Sequence, residues 1–259
     1  MLFNTFEYII FFVIAVTIYY VIPHKARTYW LLAASYYFYG FWNVKYVFLM
    51  LTVTLISYLA GYMICKGHKT GLIIGVFSLI SLLVYFKYFN FIINNLNNFL
   101  KLFGNDYNGI QSISIVLPVG ISFYVFQAIS YIIDVYRDHT CMEKNIFRYA
   151  LYISFFPQLV AGPIERSDKI LNQLCDIEGG KKRFNYDGFV DGIQLIVYGL
   201  FLKMVIADRL SILVDRVYAE YYKLPSAALI VGMIGFSIQI YCDFAGYSWI
   251  ACGSAKVIG

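Results

Sequence analysis

Residues 71–91 read GLIIGVFSLISLLVYFKYFNF, and this run decides the fold. Its single charge, Lys87, lies near its end. An α-helix rises about 1.5 Å per residue, so a run of this length reaches about 30 Å, the thickness of a bilayer's hydrocarbon core. That core has no water to satisfy backbone N–H and C=O groups, so a segment crossing it alone must be helical. Similar runs lie on both sides. Upstream are about Tyr8 to Ile22, closed by Pro23, His24, Lys25 and Arg27; Tyr29 to Trp42, a short run read as tilted or only partly buried; and Tyr46 to Ile64, followed by Lys66, His68 and Lys69. Downstream are Ile113 to Tyr136, Phe189 to Ala207, Ala227 to Phe244, and a last segment of small residues from Gly246 to Gly259. Between them, Phe147 to Ile164 is interrupted by Pro157, Gly162 and Pro163 and reads as a broken or re-entrant element lining protein or water. The stretch Glu165 to Asp187 reads as hydrophilic. The expectation is an all-α, polytopic transmembrane helical bundle in one membrane-embedded domain over residues 1–259.

Composition agrees. Of 259 residues, 61% are hydrophobic and 14% charged, against about 45–50% and about 25% in soluble domains. That balance excludes a disordered chain and a basic nucleic-acid-binding domain. Tyr 25, Phe 23 and Trp 3 suit lipid–water boundaries and packed helices. The net charge of +5 is modest, and its placement says more. The Lys25/Arg27, Lys66/Lys69 and Arg137/Lys144/Arg148 connections are basic and alternate with weakly charged ones. The positive-inside rule then puts the amino terminus outside and the basic loops in the cytoplasm of a multi-pass plasma-membrane protein. The first run reads as a span rather than a cleaved secretory signal, because Glu7 precedes it and no small-residue cleavage site follows. Five cysteines, with no CxxC and no histidine at ligand spacing, indicate neither a metal site nor a disulfide framework. Cys242 and Cys252, if on one helix, lie about 15 Å apart and cannot pair.

Polar groups inside apolar runs carry information because a bilayer makes them costly. Phe123, Gln127, Ser130 and Asp134 follow i, i+4, i+7, i+11 and share one helix face. They suit the lining of a substrate path. They suit equally well interhelical hydrogen bonds plus an Asp134–Arg137 cap. Gln239 and Asp243 stand at i, i+4 with Tyr247 a turn further. Asp243 reads as functional, or as the cap of a helix resuming at Gly246. Lys203 with Asp208 and Arg209 reads as a paired polar group at a helix end. The nucleophile inventory is poor. Ser248 is not in a G-x-S-x-G elbow, and His24, His68 and His139 all fall in basic loops.

Six stretches go further: AASYYFYGFW at Ala33–Trp42, YFKYFNF at Tyr85–Phe91, LPVGISFYVFQAISYIIDVYR at Leu117–Arg137, YISFFPQLVAGPIER at Tyr152–Arg166, FLKMVIADRL at Phe201–Leu210 and FSIQIYCDFAGYSWIACGSAKVIG at Phe236–Gly259. Together they resemble the membrane-bound O-acyltransferase (MBOAT) family, in its bacterial alginate O-acetyltransferase and teichoic-acid D-alanylation branch. The resemblance implies a helical core around a narrowed membrane. In it a tunnel lets a cytoplasmic thioester donor, acetyl-CoA or an acyl carrier, meet an acceptor on the outer side. It implies transfer of an acetyl-like group toward a hydroxyl of a cell-surface exopolysaccharide such as alginate, with membrane lipid around the enzyme and an extracellular acyltransferase as partner. No bound cofactor, metal or nucleic acid is expected. On this reading Gln127 and Asp134 line one wall, Pro157, Gly162, Pro163 and Arg166 form the pinch, and Gln158 is a further tunnel candidate. Lys203, Gln239, Asp243 and Tyr247 complete the tunnel candidates.

Two departures stand out. The family's essential histidine lies in a W-R-R-W-H type motif beyond D-F-[AS]-G-Y-S, and no such motif occurs in these 259 residues. No catalytic residue is therefore carried over, and the expectation is an amino-terminal, truncated portion of the core, inactive alone. Trp249 also stands where relatives commonly have Asp. The rival expectation from another class is a non-catalytic membrane subunit or conduit for lipid or glycan.

Overall fold

The structure, a computed structural model, describes residues 1, 3–101, 117–138, 142–159, 167–180 and 184–259. Among these residues it is helical throughout, with no strand. The helices are α1 (Phe6–Val21), α2 (His24–Gly40), α3 (Val44–Cys65), α4 (Thr70–Lys101), α5 (Ile121–Asp138), α6 (Ile146–Ser154), α7 (Phe156–Leu159), α8 (Ser167–Glu178), α9 (Tyr186–Leu200), α10 (Asp208–Ala219) and α11 (Ser226–Ile258). A π-helical segment, Phe201–Ala207, joins α9 to α10. Among the described residues four stretches are long and apolar enough to cross a membrane: Val44–Cys65, Thr70–Leu100, Tyr186–Ala219 and Ser226–Ile258. The protein is an all-α membrane protein.

The chain divides into two compact units. One comprises residues 44–153 and 165–171. Within it α3 packs on α4 and α5, and α4 on α5. Small residues set the α3–α4 approach: a Cβ at Gly75 would stand 2.6 Å from the Ala60 Cβ, and one at Gly71 2.9 Å from the Ala60 carbonyl oxygen. Buried tyrosines fill the rest. Tyr131 and Tyr149 pack with their rings tilted by 44° and centroids 4.5 Å apart, and the Tyr149 hydroxyl donates to Ser57 Oγ at 2.7 Å.

The other unit comprises residues 1–43, 154–164 and 172–259. Here α9, the π segment and α10 pack along α11. The antiparallel α9–α11 contact rests on four glycines spaced seven apart on each helix. A Cβ on Gly199 would meet the Gly246 carbonyl oxygen at 2.6 Å, and one on Gly253 would meet that of Gly192 at 2.5 Å. Seven residues are nearly two full turns, so each pair returns to the same face. α1 docks on the end of α11 through a buried Tyr8–Ser254 hydroxyl pair at 2.7 Å and a Tyr20 hydroxyl donating to the Val257 carbonyl at 2.7 Å.

Several expected boundaries move. α11 runs unbroken through Gly246, so no helix resumes there. Gly246 is needed as a small residue rather than as a breaker, since a Cβ on it would stand 2.8 Å from the Gly199 carbonyl oxygen. Cys242 and Cys252 share that helix, both as free thiols. Within the described part of the fifth span, from Leu117 on, helix begins at Ile121, because Pro118 and the positive φ of Gly120 (77°) hold residues 117–120 out of it. The stretch expected to be merely hydrophilic contains α8, whose Leu174 and Ile177 are buried on one face. The fourth span continues to Lys101, well past Phe91. Arg27, assigned to a basic loop, is buried in the first turn of α2 with its guanidinium 4.8 Å from the Tyr19 ring centroid.

Candidate functional site

The site forms where the π segment faces α11. In an α-helix, residues five apart lie about 140° apart around the axis and do not meet. The wider π turn removes that offset. The Asp208 N–H bonds the Lys203 carbonyl five residues back, and the Lys203 Nζ reaches Asp208 Oδ1 at 2.8 Å. Across the interface the same Nζ meets Asp243 Oδ1 at 2.6 Å. Tyr247, one turn on, presents its ring with the centroid 5.4 Å from that nitrogen. Gly246 leaves room for the lysine stem, since a Cβ there would stand 3.1 Å from the Lys203 Cβ. Gln239 lies a turn before Asp243, its Oε1 buried and without a partner among the described residues.

The exposure pattern gives the cluster a direction. The Lys203 side chain is 14% exposed, while Asp208 and Asp243 are 44% and 45% exposed. One cation faces two carboxylates, and the open side is the anionic, hydrogen-bond-accepting one. The cluster sits at the middle of both long apolar elements, where an ionisable group is costly unless paired or wetted.

The other candidates divide. In their own unit, Gln127 and Asp134 serve helix contacts. α6 ends at Ser154, so the Tyr152 carbonyl lacks an intrahelical donor; the buried Gln127 Nε2 donates to it at 2.8 Å. Asp134 Oδ2 accepts from Ser167 Oγ, at the start of α8, at 2.8 Å. Pro157 and Gln158 lie in the single turn α7, which packs on α11 and α2. Gly162, Pro163 and Arg166 lie outside the described residues, as does His139. Trp249 is half exposed and meets the Tyr198 ring edge-on at 5.9 Å.

Sequence reasoning missed what holds the site from behind. Phe156 is wholly buried among Phe11, Phe12 and Phe38, and Phe3 bridges onward, its ring 5.9 Å from both Phe38 and Tyr247. The signal was present as aromatic density in three of the resembling stretches, but density alone does not pair rings. No group of three side chains able to hold a metal ion occurs among the described residues.

Comparison with known proteins gives the kinship. No family model matches the chain. The chain is 36% identical over 248 residues to the Probable alginate O-acetylase AlgI of Azotobacter vinelandii, covering 93% of this chain and 48% of that protein. It is 34% identical over 262 residues to the protein of the same name from Pseudomonas putida, covering 99% and 52%. It is 30% identical over 256 residues to the Peptidoglycan O-acetyltransferase of Helicobacter pylori, covering 86% and 46%. The chain thus spans about half the length of these relatives.

Proposed function

We propose, starting from the kinship of this chain with the membrane-bound O-acyltransferases of the bacterial alginate O-acetylase type, that it serves transfer of an acetyl-like group. The donor would be a cytoplasmic thioester, acetyl-CoA or an acyl carrier, and the acceptor a hydroxyl of a cell-surface polysaccharide. The relatives named for O-acetylation of alginate and of peptidoglycan support the reaction class. The observation that carries the path is the meeting of two distant resembling stretches, FLKMVIADRL and DFAGYS, in the Lys203–Asp208–Asp243–Tyr247 cluster.

Lys203 would hold Asp243 and Tyr247 in place, and Gln239, Asp243 and Tyr247 would line the passage along one face of α11. Attack by the acceptor hydroxyl needs a general base. None of His24, His68 or His139 matches the family's histidine motif, so that base is assigned to none of the 259 residues, and these residues alone are proposed to lack turnover. An extracellular acyltransferase would take the acyl group at the outer mouth, with the amino terminus on that side.

The test measures base-released acetate per unit of purified polysaccharide in the native host after Lys203→Met replacement, with membrane abundance of the protein checked. A drop of about tenfold or more at equal abundance supports the reading. Unchanged acetate after complete removal of the protein overturns it. Lower polymer export at constant acetate per unit polymer indicates a conduit instead.

A further inference from the structure

The chain breaks between α6 and α7, and the donors of the new turn can be accounted for one by one. Phe155 stands outside both helices and its carbonyl accepts from the Gln158 N–H at 3.0 Å and the Leu159 N–H at 3.1 Å. Pro157 has no N–H to satisfy. One donor remains, the N–H of Phe156, and it is held by Ser35 Oγ of α2 at 3.2 Å. Ser35 and Phe156 are both wholly buried. In an apolar interior an unpaired backbone N–H is costly, so this one hydroxyl satisfies the last N–H donor of the turn.

The contact has a route to the ion cluster. Ser35 and Phe38 stand at i, i+3 on α2 and share a face. The Phe156 ring lies 5.9 Å from Phe38, Phe38 lies 5.9 Å from Phe3, and Phe3 lies 5.9 Å from Tyr247, the ring beside the Lys203 ammonium. α7 also packs directly on α11. We infer that Ser35 is a positioning residue, fixing the broken turn at Phe156 and, through the ring chain, the place of Tyr247 beside Lys203. Its effect on acyl transfer rests on the function proposed above; its effect on the turn does not.

Adjacency does not establish coupling, so the test reads both ends. In membranes of the native host, a Gln158→Cys reporter in a background with the native cysteines replaced is labelled with a membrane-permeant maleimide, with Ser35 intact, as Ser35→Ala and as Ser35→Thr. Polysaccharide-bound acetate and protein abundance are measured for Ser35, Ser35→Ala and Ser35→Thr without the reporter. The expected result for Ser35→Ala is labelling several-fold faster and acetate about tenfold lower at unchanged abundance, the scale of one buried unsatisfied donor. Ser35→Thr, which keeps the acceptor oxygen, restores both. Ser35→Ala that labels and acetylates like the parent overturns the inference, and so does loss of protein that Ser35→Thr fails to rescue. Faster labelling in a host whose parent protein transfers no acyl group leaves the positioning of the turn standing and removes the proposed reaction.

Discussion

At the scale of the residue, the lysine at the centre of the cluster decides most. Lys203 neutralises one of two carboxylates and presents its charge to an aromatic face. Removing one partner of a largely buried pair costs more than the pair contributes, because the remaining charges keep their desolvation penalty. The half-exposed aspartates lessen that cost here. Lys203→Met should lower stability in detergent by about 1–2 kcal/mol. Adding Asp243→Asn should recover part of the loss, read as a thermal midpoint between those of Lys203→Met and the parent. Equal midpoints for the single and double variants would show that Asp243 carries no unpaired-charge penalty once Lys203 is gone. Gln127 makes the opposite case. Its amide ties α5 to the end of α6, and Gln127→Leu should cost about 0.6 kcal/mol, the average of interhelical hydrogen bonds in membranes, and no more than about 1.7 kcal/mol. The sequence left Gln127 open between path lining and helix contact, because periodicity reports a shared face but not what covers it. In the structure the Gln127 Nε2 donates to the Tyr152 carbonyl on that face.

At the scale of the element, the π segment and the glycine contact carry the argument. A π turn holds one residue more than the α-helix it interrupts. Deleting Val205 should return the segment to α-helix and place the lysine and Asp208 four apart, still paired. The flanking faces should keep their contacts with α11, since Val214 packs on Gly235 and Val217 on Gly232 beyond the deletion. The deletion should therefore unfold within a few degrees of the parent yet lose acyl transfer about tenfold or more; full activity would detach the π geometry from function. The glycine contact has no such slack. A side chain on Gly199 meets backbone on α11, which cannot rotate away, so Gly199→Ala should destabilise by about 2 kcal/mol or more, measurable by thermal unfolding. Helices were legible from hydropathy because burial in lipid writes a long apolar run. The π segment was not, because nothing in FLKMVIA departs from an ordinary helix pattern. The break assumed at Gly246 came from reading glycine as punctuation, where close backbone approach is what requires it.

At the scale of the whole molecule, the short helices α1 and α2 govern how the amino-terminal part meets the membrane. They have 16 and 17 residues, or about 24 and 26 Å of helix, short of the roughly 30 Å hydrocarbon core. A crossing pair and a re-entrant pair both return the chain to the side it started from. Both therefore agree with an amino terminus outside and the Lys66/Lys69 turn inside. They differ at the Pro23 corner. If the pair crosses, Lys25 reaches cytoplasmic water and the membrane thins locally to match the helices; if it dips and returns, Lys25 is trapped in lipid. Lys25 is exposed in the structure, and the neighbouring Arg27 is held under the Tyr19 ring as an aromatic–cation anchor suited to a boundary. Crossing is the outcome these contacts favour. Single-cysteine variants at Thr5, Lys25 and His68, treated with an impermeant maleimide, should label from outside at Thr5 and from the cytoplasmic face at Lys25 and His68. Protection of the Lys25 variant from both faces, with the other two unchanged, would make α1 and α2 a re-entrant hairpin. A narrowed bilayer would then no longer explain how the proposed acyl donor on one side could come within reach of the proposed acceptor on the other.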